Sequence, residues 1–479
     1  MRVAILAAEA VPYSKTGGLG DVAGALPKAL CQIGVDAVLI TPLYRQTKGE
    51  YLHKLAIDDL WVNWRGAGFR AKAFYSEANG SPTFLIDAPE YFHRDSIYGY
   101  TEDYERFAFF NHAALSLLER IGAPPDIVHL NDWHCGFAAV EIALKRRRDD
   151  YWRNARTVFS IHNLAYQGAF GMDELSKLGF GDDFSRNAFS FDGAASALKA
   201  GLADSDMLST VSRRYGYEIQ QSENGYGLDW LLRQRSDRLF GIVNGVDYDV
   251  WNPATDPLLP ERYDAETVFE HKPASKAELQ KRFALPVDPT APVLGLVSRL
   301  VSQKGIDLIL SSAPGFLDLG CQLVFLGDGD REFHDQLRSF RDKHPTQVGV
   351  YLGFQESLAH LVEAGSDLFL MPSRYEPSGL NQLYSLKYGT PPVVRATGGL
   401  ADTIVDANEA SLAAGTGTGF SFAEYTPSAL YDTVKRAVTL LRDRPEDFRR
   451  VVGTAMHQDW SWERSAAAYE ALYRKLLAG

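Results

Sequence analysis

Short apolar runs alternate with stretches of helical spacing along most of this chain, and this alternation constrains the fold more than any other feature. Strands that alternate with helices form a parallel sheet covered by helices on both faces. The sequence therefore predicts an α/β, doubly wound architecture. In the first half the runs, each followed by a polar turn, are Arg2–Ala7, Val35–Thr41, Asp126–Leu130, Thr157–Ile161 and Met207–Val211.

The pattern restarts after a proline-rich break, which indicates two halves built alike. Residues 252–264 hold three prolines among polar residues, and Pro286, Pro289 and Pro292 follow, so we interpret this region as the inter-domain connection. An amphipathic segment, Trp462–Leu477, ends the sequence and could cap either half. The strand-like runs of the second half are Val293–Ser298, Gln322–Leu326, Val348–Leu352, Leu368–Met371 and Pro392–Val394.

Charge and cysteine content exclude several classes of protein. The formal charge of −12 disfavours nucleic acid and anionic lipid as partners. The three cysteines are far apart and form no CxxC pattern, which favours a reducing compartment. No apolar run approaches the roughly 18 residues of a membrane span. We therefore expect a soluble cytoplasmic protein without a membrane partner.

A glycine-bearing loop follows the first strand and precedes a helix. Gly17 and Gly18 allow close approach of a ligand to the backbone, and the helix that begins near Asp21 directs free N–H groups to the same place. Lys15 adds a positive charge, so the loop is a candidate anion site, although for the loop taken alone we favour a plain tight turn. Residues 16–21 recur at 397–402 with five of six positions identical, which indicates either two related halves or chance similarity.

Cations follow the first strand of the second half. Arg299 and Lys304 could grip a diphosphate from two sides, or they could be two exposed loop charges. Glu376 follows the strand Leu368–Met371, and Gly379 then opens a helix. A carboxylate beside an anion site is unfavourable unless it meets hydroxyl groups or a developing cation. Capping of its own helix is the alternative role for Glu376.

Polar turns also follow two strands of the first half. Asp132 and His162 each come directly after a strand, where the ligands of doubly wound sheets bind. A purely structural role for each is the alternative. The aromatic-rich stretch Tyr91–Phe110 is a candidate ligand-binding surface or a core helix, and we favour core for Phe107–Phe110.

Together these motifs resemble bacterial glycogen synthase and plant starch synthase, which belong to glycosyltransferase family 5. The resemblance runs from the first strand to the final helix in the same order and spacing. Its motifs are Lys15–Leu19, Asp132–His134, His162–Gly168, Asn244–Asp247, Ser298–Arg299, Gln303–Gly305, Glu376–Leu380 and Thr397–Asp402.

The resemblance implies a GT-B fold, in which two Rossmann-like domains face a deep cleft. It implies domains at 1–247 and 248–455, with residues 456–479 packing back on the first. The implied reaction transfers glucose from ADP-glucose to the non-reducing end of an α-1,4-glucan such as glycogen, with retention at the anomeric carbon. A UDP-sugar donor and a non-catalytic glucan-binding relic are the alternatives.

The resemblance also implies roles for individual residues. Arg299 and Lys304 would bind the diphosphate, Glu376 the glucose hydroxyls and His162 the sugar near the reacting carbon. Asp132 would lie on the acceptor side. The implied donor-binding residues are Lys15, Gly17, Gly18, Asp21, Asn244, Phe354, Ser378, Gly379, Leu380, Thr397 and Gly399, with the ring of Phe354 against the adenine.

No metal or pyridoxal cofactor is expected from this resemblance. Three Asp-x-Asp triplets, at 204–206, 247–249 and 328–330, look like the metal motif of other glycosyltransferases, but such triplets are common in turns. Ser378 and Asn381 stand where many bacterial relatives have Cys and Thr. A thiol is therefore not essential at position 378, and a side-chain contact of residue 381 with phosphate is in doubt.

Overall fold

The structure, a computed structural model, describes residues 1–479, which form two compact units. The first unit comprises Met1–Gly245 and Trp462–Gly479, and the second comprises Val246–Ser461. The first unit was predicted to end at residue 247 and its main part ends at Gly245; the second was predicted to end at residue 455 and ends at Ser461. A parallel bridge between Val246 and Ser461 brings the two ends of the second unit together.

The first unit is built on a nine-stranded sheet with the order β12-β11-β7-β6-β1-β2-β5-β4-β3. Pairing from β12 to β5 is parallel, and β4 and β3 extend the sheet as antiparallel strands. Three short strands, β8 to β10, form a separate sheet. The bounds are β1 (Arg2–Leu6), β2 (Asp36–Pro42), β3 (Lys54–Trp64), β4 (Ala67–Ser76), β5 (Thr83–Asp87), β6 (Ile127–Asn131), β7 (Arg156–Ile161), β8 (Ala169–Phe170), β9 (Ser190–Phe191), β10 (Ala194–Ser196), β11 (Met207–Thr210) and β12 (Leu239–Gly241).

The second unit is built on a parallel sheet with the order β15-β14-β13-β16-β17-β18. Its strands are numbered in chain order, so this is the 3-2-1-4-5-6 order of doubly wound nucleotide-binding folds. Successive strands are added towards one edge of the sheet up to β15 and towards the other edge from β16 onwards. The place between β13 and β16 is therefore the switch point of the sheet, and such folds bind ligands there, beyond the carboxyl ends of the strands. The bounds are β13 (Val293–Leu300), β14 (Gln322–Gly329), β15 (Val348–Leu352), β16 (Leu368–Met371), β17 (Pro392–Arg395) and β18 (Phe420–Phe422).

Helices cover both sheets, and no helix combines the length and hydropathy that a membrane crossing requires. In the first unit they are α1 (Gly18–Gln32), α2 (Pro89–Phe92), α3 (Asp103–Ile121), α4 (Gly136–Lys145), α5 (Glu174–Lys177), α6 (Asp183–Phe189), α7 (Ala197–Asp204), α8 (Arg213–Glu218), α9 (Asp229–Gln234) and α19 (Trp462–Ala478). In the second they are α10 (Val268–Arg282), α11 (Ile306–Asp318), α12 (Arg331–Lys343), α13 (Glu356–Gly365), α14 (Asn381–Lys387), α15 (Gly398–Thr403), α16 (Glu409–Ala414), α17 (Pro427–Asp443) and α18 (Pro445–Met456).

The last helix completes the core of the first unit. The side chains of Tyr469 and Tyr473 on α19 are fully buried there, and the Tyr473 hydroxyl lies 2.7 Å from Nδ1 of His129 on β6. Phe107, Phe109 and Phe110 of α3 are also fully buried, which confirms that this aromatic stretch is core.

The proline-rich stretch at 252–264 is part of the second unit, so its interpretation as the inter-domain connection is wrong. The carboxylate of Asp256 accepts hydrogen bonds from His360 (2.7 Å) and Tyr388 (2.6 Å). The indole of Trp251 stacks on the rings of His360 and Tyr384. Because these contacts fix the stretch to α13 and α14, its prolines shape a packed segment rather than a linker.

Candidate active site

Three polar side chains of the first unit follow neighbouring strands of its sheet. Glu9 comes shortly after β1, Asp132 directly after β6 and His162 directly after β7. These strands are adjacent in the order β7-β6-β1, and their carboxyl ends meet at the same edge. The fold therefore places these side chains together at the edge where doubly wound sheets bind ligands.

Asp132 organises the turn that carries His162. Its Oδ1 accepts hydrogen bonds from the backbone N–H groups of His162 (2.7 Å) and Asn163 (3.4 Å). Asp132 has a φ of 55°, a left-handed conformation that is uncommon outside glycine. Burial raises the pKa of its carboxyl to about 7, against these two hydrogen bonds, which lower it.

Hydrogen bonding selects the tautomer of His162. The Nδ2 of Asn131 donates to the Leu6 carbonyl, so its Oδ1 faces Nε2 of His162, 2.9 Å away. Nε2 must therefore carry the proton, which leaves Nδ1 as an acceptor. Burial lowers the pKa of His162 to about 4, so the ring is neutral near pH 7.

Glu9 is a residue of this site that the sequence analysis missed. Its carboxylate accepts hydrogen bonds from the backbone N–H groups of Thr16 and Gly17, the latter at 3.2 Å. The predicted anion loop thus already holds an internal carboxylate, and the Gly17 N–H is engaged. Burial raises the pKa of Glu9 to about 7. An acid inside the apolar run 3–10 was the available signal.

The rest of the glycine loop offers a cation and an open stretch of backbone. Lys15 forms an ion pair with Asp21 at 2.7 Å. A Cβ added to Gly18 would meet no atom within 4 Å, so nothing in the fold requires glycine there. An alanine would therefore fit at position 18 without a clash within the protein.

In the second unit Arg299 lies inside β13, near its carboxyl end, rather than after the strand as predicted, and Lys304 follows β13. Nζ of Lys304 lies 2.5 Å from Oε2 of Glu376, and the Ser373 hydroxyl donates to the same oxygen at 3.1 Å. Arg299 is exposed, and its guanidinium lies 3.3 Å from Oε1 of Gln303. The structure thus brings Lys304 and Glu376 together at the switch point of the sheet and leaves Arg299 open to solvent.

Two glycines at the start of α15 allow this end of the helix to pack on the backbone beside Glu376. A Cβ on Gly398 would lie 2.0 Å from the carbonyl oxygen of Glu376, and one on Gly399 would lie 1.9 Å from that of Ser378. The N–H of Gly399 donates to the Glu376 carbonyl at 3.0 Å. In the matching loop before α1, the Glu9 side chain accepts from Thr16 and Gly17, which correspond to Thr397 and Gly398. The repeated sequence therefore opens a helix in both units with different partners.

The remaining donor-site candidates of the second unit lie around α14 and β15. Gly379 has a φ of 67° and precedes Leu380, the residue before α14. The Ser378 hydroxyl donates to the carbonyl of Gly379 at 3.2 Å, and Thr397 is buried before α15. Phe354, after β15, is 71% exposed, so its ring is free to stack on a ligand.

Asn244 and Asn381 lie in different units and have different surroundings. Asn244 is buried near the end of the first unit, and its Oδ1 has no hydrogen-bond partner. Asn381 donates from Nδ2 to the Val297 carbonyl at 2.7 Å. The side chain at 381 therefore ties α14 to β13.

Comparison with known proteins agrees with this arrangement over both units. Residues 2–234 match the family model of the starch synthase catalytic domain, and residues 278–450 match that of glycosyl transferases group 1. Glycogen synthase of Anaeromyxobacter dehalogenans (strain 2CP-1 / ATCC BAA-258) is 45% identical, with all of both chains covered. That of Desulforudis audaxviator (strain MP104C) is 43% identical over 99% of this chain and 96% of the relative.

The chain belongs to the glycogen synthase and starch synthase family. A solved member, the catalytic domain of starch synthase IV from Arabidopsis thaliana bound to ADP and acarbose, superposes with a TM-score of 0.91 at 32% identity. That match covers 100% of this chain and 99% of the other. The protein is a glycosyltransferase with the GT-B fold of this family.

All three acidic triplets have partners within their own unit, and in the second of them Oδ1 of Asp247 accepts from the Asp249 N–H at 2.9 Å. Asp206 binds Arg146 at 2.5 Å and accepts from the backbone of Thr157 at 2.7 Å. Asp328 lies 3.1 Å from Nε2 of His334. Asp206 thus ties the end of α4 to β7, and Asp328 pairs with a side chain of α12.

Proposed function

We propose that this protein transfers glucose from ADP-glucose to the non-reducing end of an α-1,4-glucan with retention at the anomeric carbon. The observation that carries the proposal is the Lys304–Glu376 pair with Arg299 nearby, beyond the switch point of the second sheet. Cations at this point suit a diphosphate, and the carboxylate suits the hydroxyl groups of the sugar attached to it.

The charges suit the bond that must break. When the C1–O bond to the β-phosphate breaks, the departing ADP gains negative charge and C1 becomes oxocarbenium-like. Arg299 and Lys304 would stabilise the departing charge, and fixed charges of this kind usually give the largest catalytic term. Glu376 would hold the glucose hydroxyls.

We propose same-face attack rather than a carboxylate nucleophile. The acceptor 4-hydroxyl oxygen would form the new bond to C1 on the face that ADP leaves, and its proton would pass to the departing phosphate oxygen. In this proposal His162 would hydrogen-bond the sugar near the reacting carbon, and Asp132 would lie on the acceptor side. The neutral His162 suits hydrogen bonding to a sugar better than charge stabilisation.

We further propose that the reaction needs neither a metal nor pyridoxal phosphate, and that it takes place in the cytoplasm. In other transfers that release a phosphate, Mg²⁺ stabilises the charge on the leaving group. Arg299 and Lys304 would take that role here, so no metal would be needed. The three cysteines, Cys31, Cys135 and Cys321, are free thiols, as suits a reducing compartment.

A single assay tests donor, acceptor and metal together. The protein is incubated with glycogen and radiolabelled ADP-glucose or UDP-glucose, with and without EDTA, and label is counted in the precipitated polymer. We expect label from ADP-glucose in both buffers, released by an α-1,4-specific glucosidase. Label from UDP-glucose alone would overturn the donor assignment, loss with EDTA would overturn the metal-free proposal, and no label from either would overturn the function.

A further inference from the structure

A pocket of the first unit lies beside the segment that follows His162. It has a volume of about 650 Å³, within the usual range of ligand sites. We call it the Trp230 pocket. Its lining residues are Gln167, Ser190, Phe191, Asp192, Tyr226, Gly227 and Trp230.

The lining chemistry of the Trp230 pocket suits a neutral polyhydroxyl ligand. Three aromatic side chains line it, and Tyr226 and Trp230 are 41% and 44% exposed. Gln167, Ser190 and Asp192 add hydrogen-bonding groups, and the lining contains no Lys, Arg or His. Aromatic faces match the apolar C–H faces of sugar rings, whereas a phosphate-bearing ligand would lack a cation.

The backbone of the pocket holds a bulky residue in an unusual conformation. Tyr226 has a φ of 48°, which is a genuine outlier for an aromatic residue. Its carbonyl accepts a hydrogen bond from Nε2 of Gln167 at 3.0 Å, across the pocket lining. Because the ring is partly exposed, core packing does not account for this conformation. Strain of this kind concentrates at ligand sites.

The Trp230 pocket is tied to the segments that carry Asp132 and His162. The carbonyl of Gln167 accepts from the Ser196 hydroxyl at 2.9 Å and from the Leu198 N–H at 3.1 Å. A Cβ on Gly168 would lie 2.2 Å from the ring of Trp133, next to Asp132. Gln167 thus belongs both to the pocket lining and to the segment after His162, which packs beside Trp133 at Gly168.

We propose that the Trp230 pocket binds glucose units of the acceptor α-glucan away from its reacting end. The inference rests on the proposed function, since it names a further contact of the same acceptor. Trp230 and Tyr226 would stack on sugar rings, and Asp192 and Gln167 would bind hydroxyl groups. Longer acceptors would then bind more tightly than short ones.

Binding without nucleotide tests the pocket separately from the reaction. Maltoheptaose is titrated against wild type, Trp230→Ala and Trp230→Leu, the second of which keeps apolar volume on α9. Loss of one stacking face should raise the dissociation constant about 2- to 12-fold. The matched control is Trp61→Ala, because Trp61 is 54% exposed on β3 of the same unit, outside the pocket.

Kinetics with acceptors of different length provide a second readout. In both Trp230 variants we expect the loss of kcat/KM to be larger with maltoheptaose and glycogen than with maltose. Maltoheptaose binding equal to wild type in the folded variants, or no binding to wild type, would overturn the pocket. A wild type that binds maltoheptaose but transfers no glucose would overturn the proposed function and leave the pocket standing.

Discussion

The ammonium of Lys304 lies 2.5 Å from the carboxylate of Glu376, although the two residues follow different strands of the second sheet. The side chains are only 19% and 8% exposed, so each charge depends on the other for solvation. A diphosphate that binds Lys304 would compete with Glu376 for it and free the carboxylate for sugar hydroxyls. In the free protein the two side chains neutralise each other, and under the proposed function each would also contact the donor.

Loss of either cation should abolish most of the activity. We expect Arg299→Ala and Lys304→Ala each to lower kcat by more than about 100-fold, the lower range for one lost charge-stabilising donor. The measurement is label transfer from ADP-glucose to glycogen. Arg331→Ala is the control, since that side chain is 95% exposed on α12. Near-normal turnover in either variant would refute the role assigned to that cation.

Stability and activity should separate when the ion pair is removed as a whole. Glu376→Gln leaves the Lys304 charge without its partner, so we expect Tm and activity to fall together. The double variant Glu376→Gln with Lys304→Met removes both charges, and we expect it to regain Tm but not activity. Recovery of activity in the double variant would contradict catalytic roles for this pair.

The two glycine loops should respond differently to alanine. At Gly399 a Cβ would lie 1.9 Å from the Ser378 carbonyl oxygen, so Gly399→Ala should lower Tm by several degrees. Gly18→Ala should keep the wild-type Tm, because a Cβ there meets nothing within 4 Å, and should raise the KM for ADP-glucose several-fold. Gly453→Ala on α18, with equally open surroundings, is the control. An unchanged KM in Gly18→Ala would exclude close approach of the donor there.

The buried carboxyl of Asp132 should make stability depend on pH. Its pKa of about 7 in the folded protein lies above its ordinary value, so between about pH 4 and 7 the folded state holds a proton that the unfolded state has lost. This contribution to stability is present at low pH and is lost as the pH rises towards 7. Asp132→Asn removes it while keeping an acceptor for the His162 N–H.

We therefore expect the Tm of Asp132→Asn, relative to wild type, to increase from pH 5 to pH 8. The comparison is made between variant and wild type because His162, with its lowered pKa of about 4, gives a pH dependence of the opposite sign. A Tm difference that is flat or decreasing over this range would show that the Asp132 carboxyl titrates at its ordinary pKa.

The exposed ring of Phe354 should contribute to donor affinity and little to stability. It is 71% exposed, so Phe354→Ala should leave Tm unchanged. If the ring stacks on the adenine, KM for ADP-glucose should rise about 2- to 12-fold. Phe269→Ala, which removes a ring 43% exposed on α10, is the control. Equal KM values for the two variants would remove Phe354 from the donor site.

Ten of the strands that pair in parallel could be predicted because each is a short, largely apolar run. The parallel pairing of β5, β12 and β18 was not predicted. The pair β3 and β4 gave no such signal, since β3 carries Asp58 and Asp59 and is largely exposed along its first half. Its structure depends on antiparallel pairing with β4, a partner that a local pattern does not show. The proline-rich stretch misled for a similar reason, because its contacts with His360 and Tyr388 come from distant sequence.

For the site, the residues that follow strands were accessible from the sequence and their partners were not. Lys304, Glu376, Asp132 and His162 stand where a strand meets a turn. The hydrogen bonds from the glycine loop to the Glu9 carboxylate were missed, because a single acid in an apolar run does not reveal which N–H groups it accepts from. The roles of all these residues in catalysis stay predictions.

The return of α19 to the first unit has a consequence for biosynthesis. The fully buried side chains of Tyr469 and Tyr473 come from the final residues, whereas the whole of the second unit is encoded before them. During translation, residues 246–461 can therefore reach their native state while the larger amino-terminal body still lacks part of its interior. That body can mature only after the segment that forms α19 has emerged from the ribosome.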